Sequence, residues 1–195
     1  EETIIISLGG SMIIPEEIDI EFLREFKSLI LSHVAQGKKF VIICGGGKIA
    51  RKYQEVAKQF GDIENVDLDW IGIASLKLNA ELLRVIFGEY AHDVVVSDLR
   101  NHIMFDKPVL VGSAHQPGWS SDMDTVWAAQ TVGAKKLINL SNVDHVYDAD
   151  PRTNPNAKKL ESISWADYRS IIPKEWTSGL NSPFDPIASE LAQKD

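Results

Sequence analysis

The sequence predicts an α/β fold. Two stretches near its start each run from a continuous apolar strand into glycines and then into a helix-patterned segment. A later strand, Leu137–Leu140, ends in a rim of hydroxyl, amide and carboxylate groups. Apolar strands that alternate with helices mark a mostly parallel sheet covered on both faces. In such sheets ligands bind beyond the carboxyl ends of the strands, which is where the glycines and the polar rim fall.

The first unit opens with Thr3–Leu8, rich in β-branched residues, and turns at Gly9-Gly10-Ser11, where backbone must lie close to something such as phosphate. Asp19 is placed to cap the next helix, whose apolar residues Ile20, Leu23, Phe26, Leu29, Ile30 and Val34 recur at helical spacing until Gly37 stops it. The second unit repeats the pattern. Residues 40–44 form a strand, Gly45-Gly46-Gly47 form the turn, and residues 48–60 a helix. Three glycines leave backbone N–H groups unshielded at a helix start, a site that favours anions, and Lys48, Arg51 and Lys52 add positive charge. The same residues also suit a tight turn followed by a solvated basic face. The spacing is not that of a Walker A loop.

Residues 69–87 carry an apolar stripe and predict a long helix that Asp69 begins, as a cap or as an acceptor from a sugar hydroxyl. Residues 94–96 and 109–111 are two short β-rich runs, with Asn101, His102 and Asp106 between them as loop residues. A polar, glycine-rich loop follows, and then an apolar helix over 123–132. Ser120, Ser121 and Asp122 are placed either to cap that helix or to present amides to a second anion. Two anion sites at neighbouring strand ends suggest transfer between two phosphorylated molecules.

After Leu137–Leu140, read as a central strand, come Ser141-Asn142-Val143-Asp144 and a turn-rich Asp148-Ala149-Asp150-Pro151. Asn, Asp and Pro make turns on their own account, and here they also stand where a nucleotide or metal would bind. Residues 152–159 and 176–186 read as loops, residues 165–172 as a short helix and Pro186–Ala192 as the last helix.

Composition narrows the function. The 195 residues suffice for one domain, and 44% hydrophobic with 25% charged residues are ordinary globular values. With 28 acidic against 20 basic residues the net charge is −8, which disfavours attraction to nucleic acid, so an anionic ligand needs a local pocket of donors. No apolar run reaches the ~18 residues that span a bilayer, and no signal-like segment opens the chain. The expectation is a cytoplasmic protein. Cys44 stands alone as a small core residue, and no Cys/His cluster has zinc-ligand spacing.

Four motifs in order carry a resemblance: Ser7-Leu8-Gly9-Gly10-Ser11, Gly45 through Tyr53 (GGGKIARKY), Pro117 through Asp122 (PGWSSD) and Asn142 through Pro151 (NVDHVYDADP). Together they resemble the amino acid kinase superfamily, most closely its archaeal-type UMP kinases. The resemblance implies a three-layer α/β/α sandwich, a single domain over residues 1–195 that normally continues into a further strand and helix, and a homohexamer that phosphorylates UMP from ATP with magnesium. By matching position, Gly9, Gly10, Ser11, Gly47 and Arg51 would face the ATP phosphates. UMP would meet Gly46, Asp69, His115, Gln116, Pro117, Gly118, Trp119, Ser120 and Ser121, with Asp122 just behind. Ser141, Asn142, Tyr147 and Asp150 would hold adenosine and ribose. Asp144, Lys48 and Asp122 would be catalytic, Asp144 aligning a metal or an ammonium such as that of Lys48.

Three departures stand out. Ser7 replaces the lysine of many superfamily members, His145 replaces the glycine expected after Asn142-Val143-Asp144, and Leu76 and Lys77 replace a usual Thr and Arg. The main expectation is therefore ATP-dependent phosphorylation of a nucleoside monophosphate. Alternatives are a kinase for another small phosphate or carboxylate, and a catalytically weak nucleotide-binding protein.

Overall fold

The structure is a computed structural model that describes residues 2–101, 104–151, 153–177, 180 and 182–194. His102, Arg152, Ser178, Gly179 and Asn181, expected in loops, lie outside the described residues. Four parallel strands, β1 (Thr3–Leu8), β2 (Lys39–Cys44), β3 (Val109–Gly112) and β4 (Leu137–Leu140), form a sheet in the order β3-β2-β1-β4. β1 and β2 pair residue for residue from Thr3↔Lys39 to Leu8↔Cys44, so the two glycine turns emerge side by side at the carboxyl end of the sheet.

Alternation along the strands sends side chains to two cores. One face carries Ile6, Leu8, Phe40, Ile42, Cys44, Val109 and Val111, packed with Leu23, Phe26 and Ile30 of α2 (Ile20–Val34) and Ala80, Leu83 and Phe87 of α4 (Asn65–Phe87). The other carries Ile5, Val41, Ile43 and Leu110 against Ala128 of α5 (Ser121–Val132). Burial of both faces explains why these strands are continuous apolar runs. The result is the three-layer α/β/α arrangement expected from the motifs. A third cluster joins α5 to α6 (Trp165–Ile171) and α7 (Pro186–Ala192) through Val126, Tyr168, Phe184 and Ala188.

Several boundaries differ from expectation, each for a local reason. Gly10 does not sit in an open turn: it starts a four-residue helix, α1 (Gly10–Ile13). α3 (Gly47–Ala57) begins one residue early and gives way to a 3-10 turn at Lys58–Phe60. α4 begins at Asn65, one turn before Asp69, because Leu68 extends its buried face. Asp69 is therefore inside the helix, buried, and not its cap. Residues 94–96 form no strand: only Val96 bridges to Gly112. β4 is the edge strand among the described residues, not a central one, and Ile138 is 43% exposed. Beyond it, Val146–Tyr147 and Lys159–Leu160 pair as a small antiparallel ribbon, β5 and β6, which the turn-rich sequence concealed. Two caps were legible: Asp19 accepts from the Phe22 amide and Ser120 from the Asp122 amide.

Candidate active site

The two glycine turns make the floor of a crevice of about 280 Å³. A methyl group built on Gly10 would lie 2.2 Å from the Gly47 nitrogen and 2.5 Å from the Gly45 oxygen; one on Gly47 would lie 2.5 Å from the Gly10 oxygen. Gly47 also has a φ of 68°, a conformation that L side chains rarely adopt. Backbone thus packs on backbone, and only glycine permits it. Asn79, buried in α4, supports the second turn by donating from Nδ2 to the Gly45 oxygen at 2.9 Å. In the sequence Asn79 is a polar position within the helix predicted over residues 69–87. A lone buried amide in an apolar stripe was the available signal.

Neither α1 nor α3 has a side-chain cap at its start, so their first amides stay open to a ligand. Arg51 reaches across them, its Nη2 donating to the Ser11 hydroxyl at 3.0 Å. Lys48 pairs instead with Glu16 on the surface, away from Asp144, whose neighbours are the His145 ring (3.2 Å) and the Lys159 ammonium (3.9 Å). The structure does not bring together the Lys48–Asp144 pair expected from the motifs. The reason is local: Glu16 follows α1 and faces α3, whereas Asp144 leads into the β5–β6 ribbon.

Opposite the glycines stands the loop over 113–121. Its Gly118 N–H donates to Asp69 Oδ2 at 2.9 Å, so the buried carboxylate of α4 holds the loop against the crevice. Gly9, Gly10, Ser11, Gly46, Gly47, Arg51, Asp69, Trp119, Ser120, Ser121, Asp122, Ser141 and Asn142 all line the space. His115, Gln116, Pro117 and Gly118 belong to the loop but not to the wall. Leu76 supplies an apolar floor patch.

Asp122 occupies a junction. Its Oδ1 accepts from the Ser7 hydroxyl and its Oδ2 from the Asp185 amide, both at 2.9 Å. Burial pushes its carboxyl up to about 6, the Ser7 and Asp185 hydrogen bonds holding it lower than burial alone would. Asp185, which sequence reading missed, caps α7 through the Ile187 and Ala188 amides and accepts from the Ser120 amide at 2.9 Å. Its position before Pro186 was the cue, since Asp-Pro commonly opens a helix.

A second, larger groove of about 1210 Å³ runs along β4 and shares Asn139, Ser141 and Pro183 with the crevice. Asp144 and His145 line it. Tyr147 donates to Asp144 at 3.0 Å, and this bond, with that of His145, holds the Asp144 carboxyl below its usual range. Asp150 uses its carbonyl oxygen to close a turn on Thr153 and Asn154. Tyr147 and Asp150 line neither space among the described residues. Cys44 is inert: burial pushes its thiol up to about 12.

Two predictions follow from this geometry. Gly10→Ala should lower the melting temperature by several degrees, on the scale of about 1–3 kcal/mol for overpacking, while Gly72→Ala, whose added methyl meets only Gln54 at 3.4 Å, should not. Equal melting curves would deny the close contact. The second concerns Asp124 on α5, fully buried, which burial pushes from 3.8 up to about 8. An acid with a raised folded pKa binds more protons folded than unfolded, so stability is full below about 4 and falls as pH rises through 8. Asp124→Asn should flatten that fall in thermal melts; a slope unchanged in the variant would refute it.

A model of the amino acid kinase family matches residues 2–195. The chain is 37% identical to a uridylate kinase of Pyrococcus abyssi over 96% of this chain and 84% of that one. It is 35% identical to a uridylate kinase of Thermococcus kodakarensis over 98% and 85%. The solved uridylate kinase of Archaeoglobus fulgidus superposes with a TM-score of 0.79 at 29% identity, covering 98% of this chain and 86% of that one. A UMP kinase of Bacillus anthracis, at 21% identity and a TM-score of 0.77 over 99% and 83%, shares the fold.

Proposed function

Since the chain belongs to the amino acid kinase family, we propose that it transfers the γ-phosphoryl group of ATP to UMP, giving UDP and ADP. The observation that carries the reading is the meeting of three backbone segments in one crevice: the Gly9–Gly10 turn, the Gly46–Gly47 turn and the loop that Asp69 holds at Gly118. Donor and acceptor phosphates can face each other there, with open amides on the glycine side. The archaeal relatives are uridylate kinases over nearly the whole chain.

In this mechanism the protein positions the reactants and neutralises charge, since phosphoryl transfer through a loose transition state asks little of a base. The amides of Gly10, Ser11 and Gly47 hold the ATP phosphates, and Arg51, already between the two turns at Ser11, contributes the charge-assisted contact. Lys48 joins them by leaving Glu16, a surface pair worth little in itself. Adenosine lies toward the larger groove, reached through Ser141, which lines both spaces. Asn142 borders the phosphates, and Asp144 orients Tyr147 and His145 at the nucleoside side. UMP sits under the loop over 115–121, with Asp69 and Gly46 below it and Asp122 bracing the loop against Ser7.

No group of three or more His, Cys, Asp or Glu among the described residues could hold a metal alone. Magnesium, which keeps most of its waters and binds through phosphates, would come with ATP and neutralise phosphate charge. The reading includes a cytoplasmic enzyme of pyrimidine biosynthesis and a homohexamer. Among the described residues no helix is long and apolar enough to cross a membrane, and Phe60 (83% exposed) and Trp70 (47%) offer apolar surface for association.

A coupled ADP-release assay across UMP, CMP, isopentenyl phosphate and acetylglutamate tests the acceptor: UMP should give the highest kcat/KM by orders of magnitude, and preference for another acceptor would overturn the reading. Arg51→Ala should raise the KM for ATP and lower kcat together, roughly 10- to 100-fold in kcat/KM for one lost charge-assisted bond. Unchanged kinetics would make Arg51 a solvated residue.

A further inference from the structure

At His115 the acceptor loop meets a charged pair, Asp98 and Arg100, that the reaction as described does not use. Asp98 grips Arg100 with both oxygens, Oδ1 to Nε at 2.9 Å and Oδ2 to Nη2 at 3.1 Å, which fixes the plane of the guanidinium. From that fixed plane Nη2 meets His115 Nε2 at 2.7 Å. A guanidinium only donates, so Nε2 is the acceptor and the imidazole proton sits on Nδ1. Nδ1 is buried and has no partner among the described residues, one residue from Ala114 on the crevice wall. Arg100 also lies 5.4 Å from the ring centre of Trp127, which stands perpendicular to Trp119 with ring centres 5.0 Å apart. Trp119 lines the crevice.

We propose that Arg100 is a positioning residue for the acceptor: by holding His115 in one tautomer and Trp119 through Trp127, it sets the shape of the loop that receives the nucleoside monophosphate. The inference rests on the reading of that loop as the acceptor site. Arg100 at the His115 ring then adds a cationic anchor to the carboxylate anchors of the loop, Asp69 at the Gly118 amide and Asp185 at the Ser120 amide. Thr131 ties the segment carrying Arg100 to α5 by donating to the Leu99 oxygen at 2.9 Å, so the second anchor is itself fixed. Charge in the cluster is settled by Asp98, which Arg100 pulls down to about 2, whereas the nearby buried Asp124 stays largely protonated near neutral pH.

The test compares wild type, Arg100→Ala and Arg100→Gln in initial rates with UMP and ATP varied separately, beside imidazole ¹⁵N spectra of the ligand-free proteins. Arg100→Ala should raise the KM for UMP about tenfold, the size of one lost charge-assisted bond, and leave the KM for ATP within about twofold. Arg100→Gln, whose amide still donates to His115, should recover part of the loss. In the spectra His115 should be the Nδ1–H form in wild type and a tautomer mixture in Arg100→Ala. An unchanged KM for UMP, a parallel rise for both nucleotides with a lower melting temperature, or an unaltered tautomer in Arg100→Ala would overturn the proposal. If wild type fails to turn over UMP, it is the acceptor assignment that falls, and the tautomer spectra still decide whether Arg100 holds the ring.

Discussion

Contact between the Gly10 and Gly47 backbones is the constraint on which the rest of the molecule depends. It requires β1 and β2 to be adjacent, parallel and in register to their last residues, since a slip of one residue would move one turn away from the other and invert both buried faces. Register in turn explains the continuous apolar strands and the two cores. What the contact creates is a floor of peptide groups with no side chains in the way, at the carboxyl end of the sheet and at the uncapped starts of α1 and α3. In the proposed reading an acidic chain of net charge −8 holds polyphosphate there through local charge, amide dipoles and Arg51.

The walls of the crevice are set by carboxylates that bind the protein's own backbone. Asp69 holds Gly118, Asp185 holds Ser120 and caps α7, and Asp122 joins Ser7 to the Asp185 amide. Each fixes a loop that would otherwise carry unsatisfied amides in a half-buried place. Ser7 illustrates how a departure from the family pattern is absorbed: where many members carry a lysine, its hydroxyl donates to Asp122 and so becomes part of the brace. His145 is absorbed likewise, its ring held by Asp144 at the mouth of the larger groove.

The fold was largely readable in the sequence because its signals are local and strong. Thr3–Leu8 and the run ending at Cys44 could only be strands buried on both faces, and Asp19 and Ser120 announced their helices. Glycine spacing and motif order pointed to the turns and the loop that the structure brings to one crevice, for which phosphate and acceptor binding are the proposed roles. The sequence did not disclose what depends on distant pairing: Asn79 under Gly45, Asp185 against Ser120, and the β5–β6 ribbon whose strands are two residues each. Lys48 and Asp144 were matched by chemistry alone. Their separation follows from topology, one on α3 and the other past the edge strand β4.

The central claim is that one crevice receives both nucleotides, with their phosphates facing across the glycine floor. Titration calorimetry with a bisubstrate analogue, adenosine and uridine joined at their 5′ positions through a chain of phosphates, measures this directly. The account predicts one analogue bound per chain, tighter than either nucleotide alone, and displaced by ATP alone and by UMP alone. Two analogues bound per chain, or displacement by only one of the nucleotides, would contradict it.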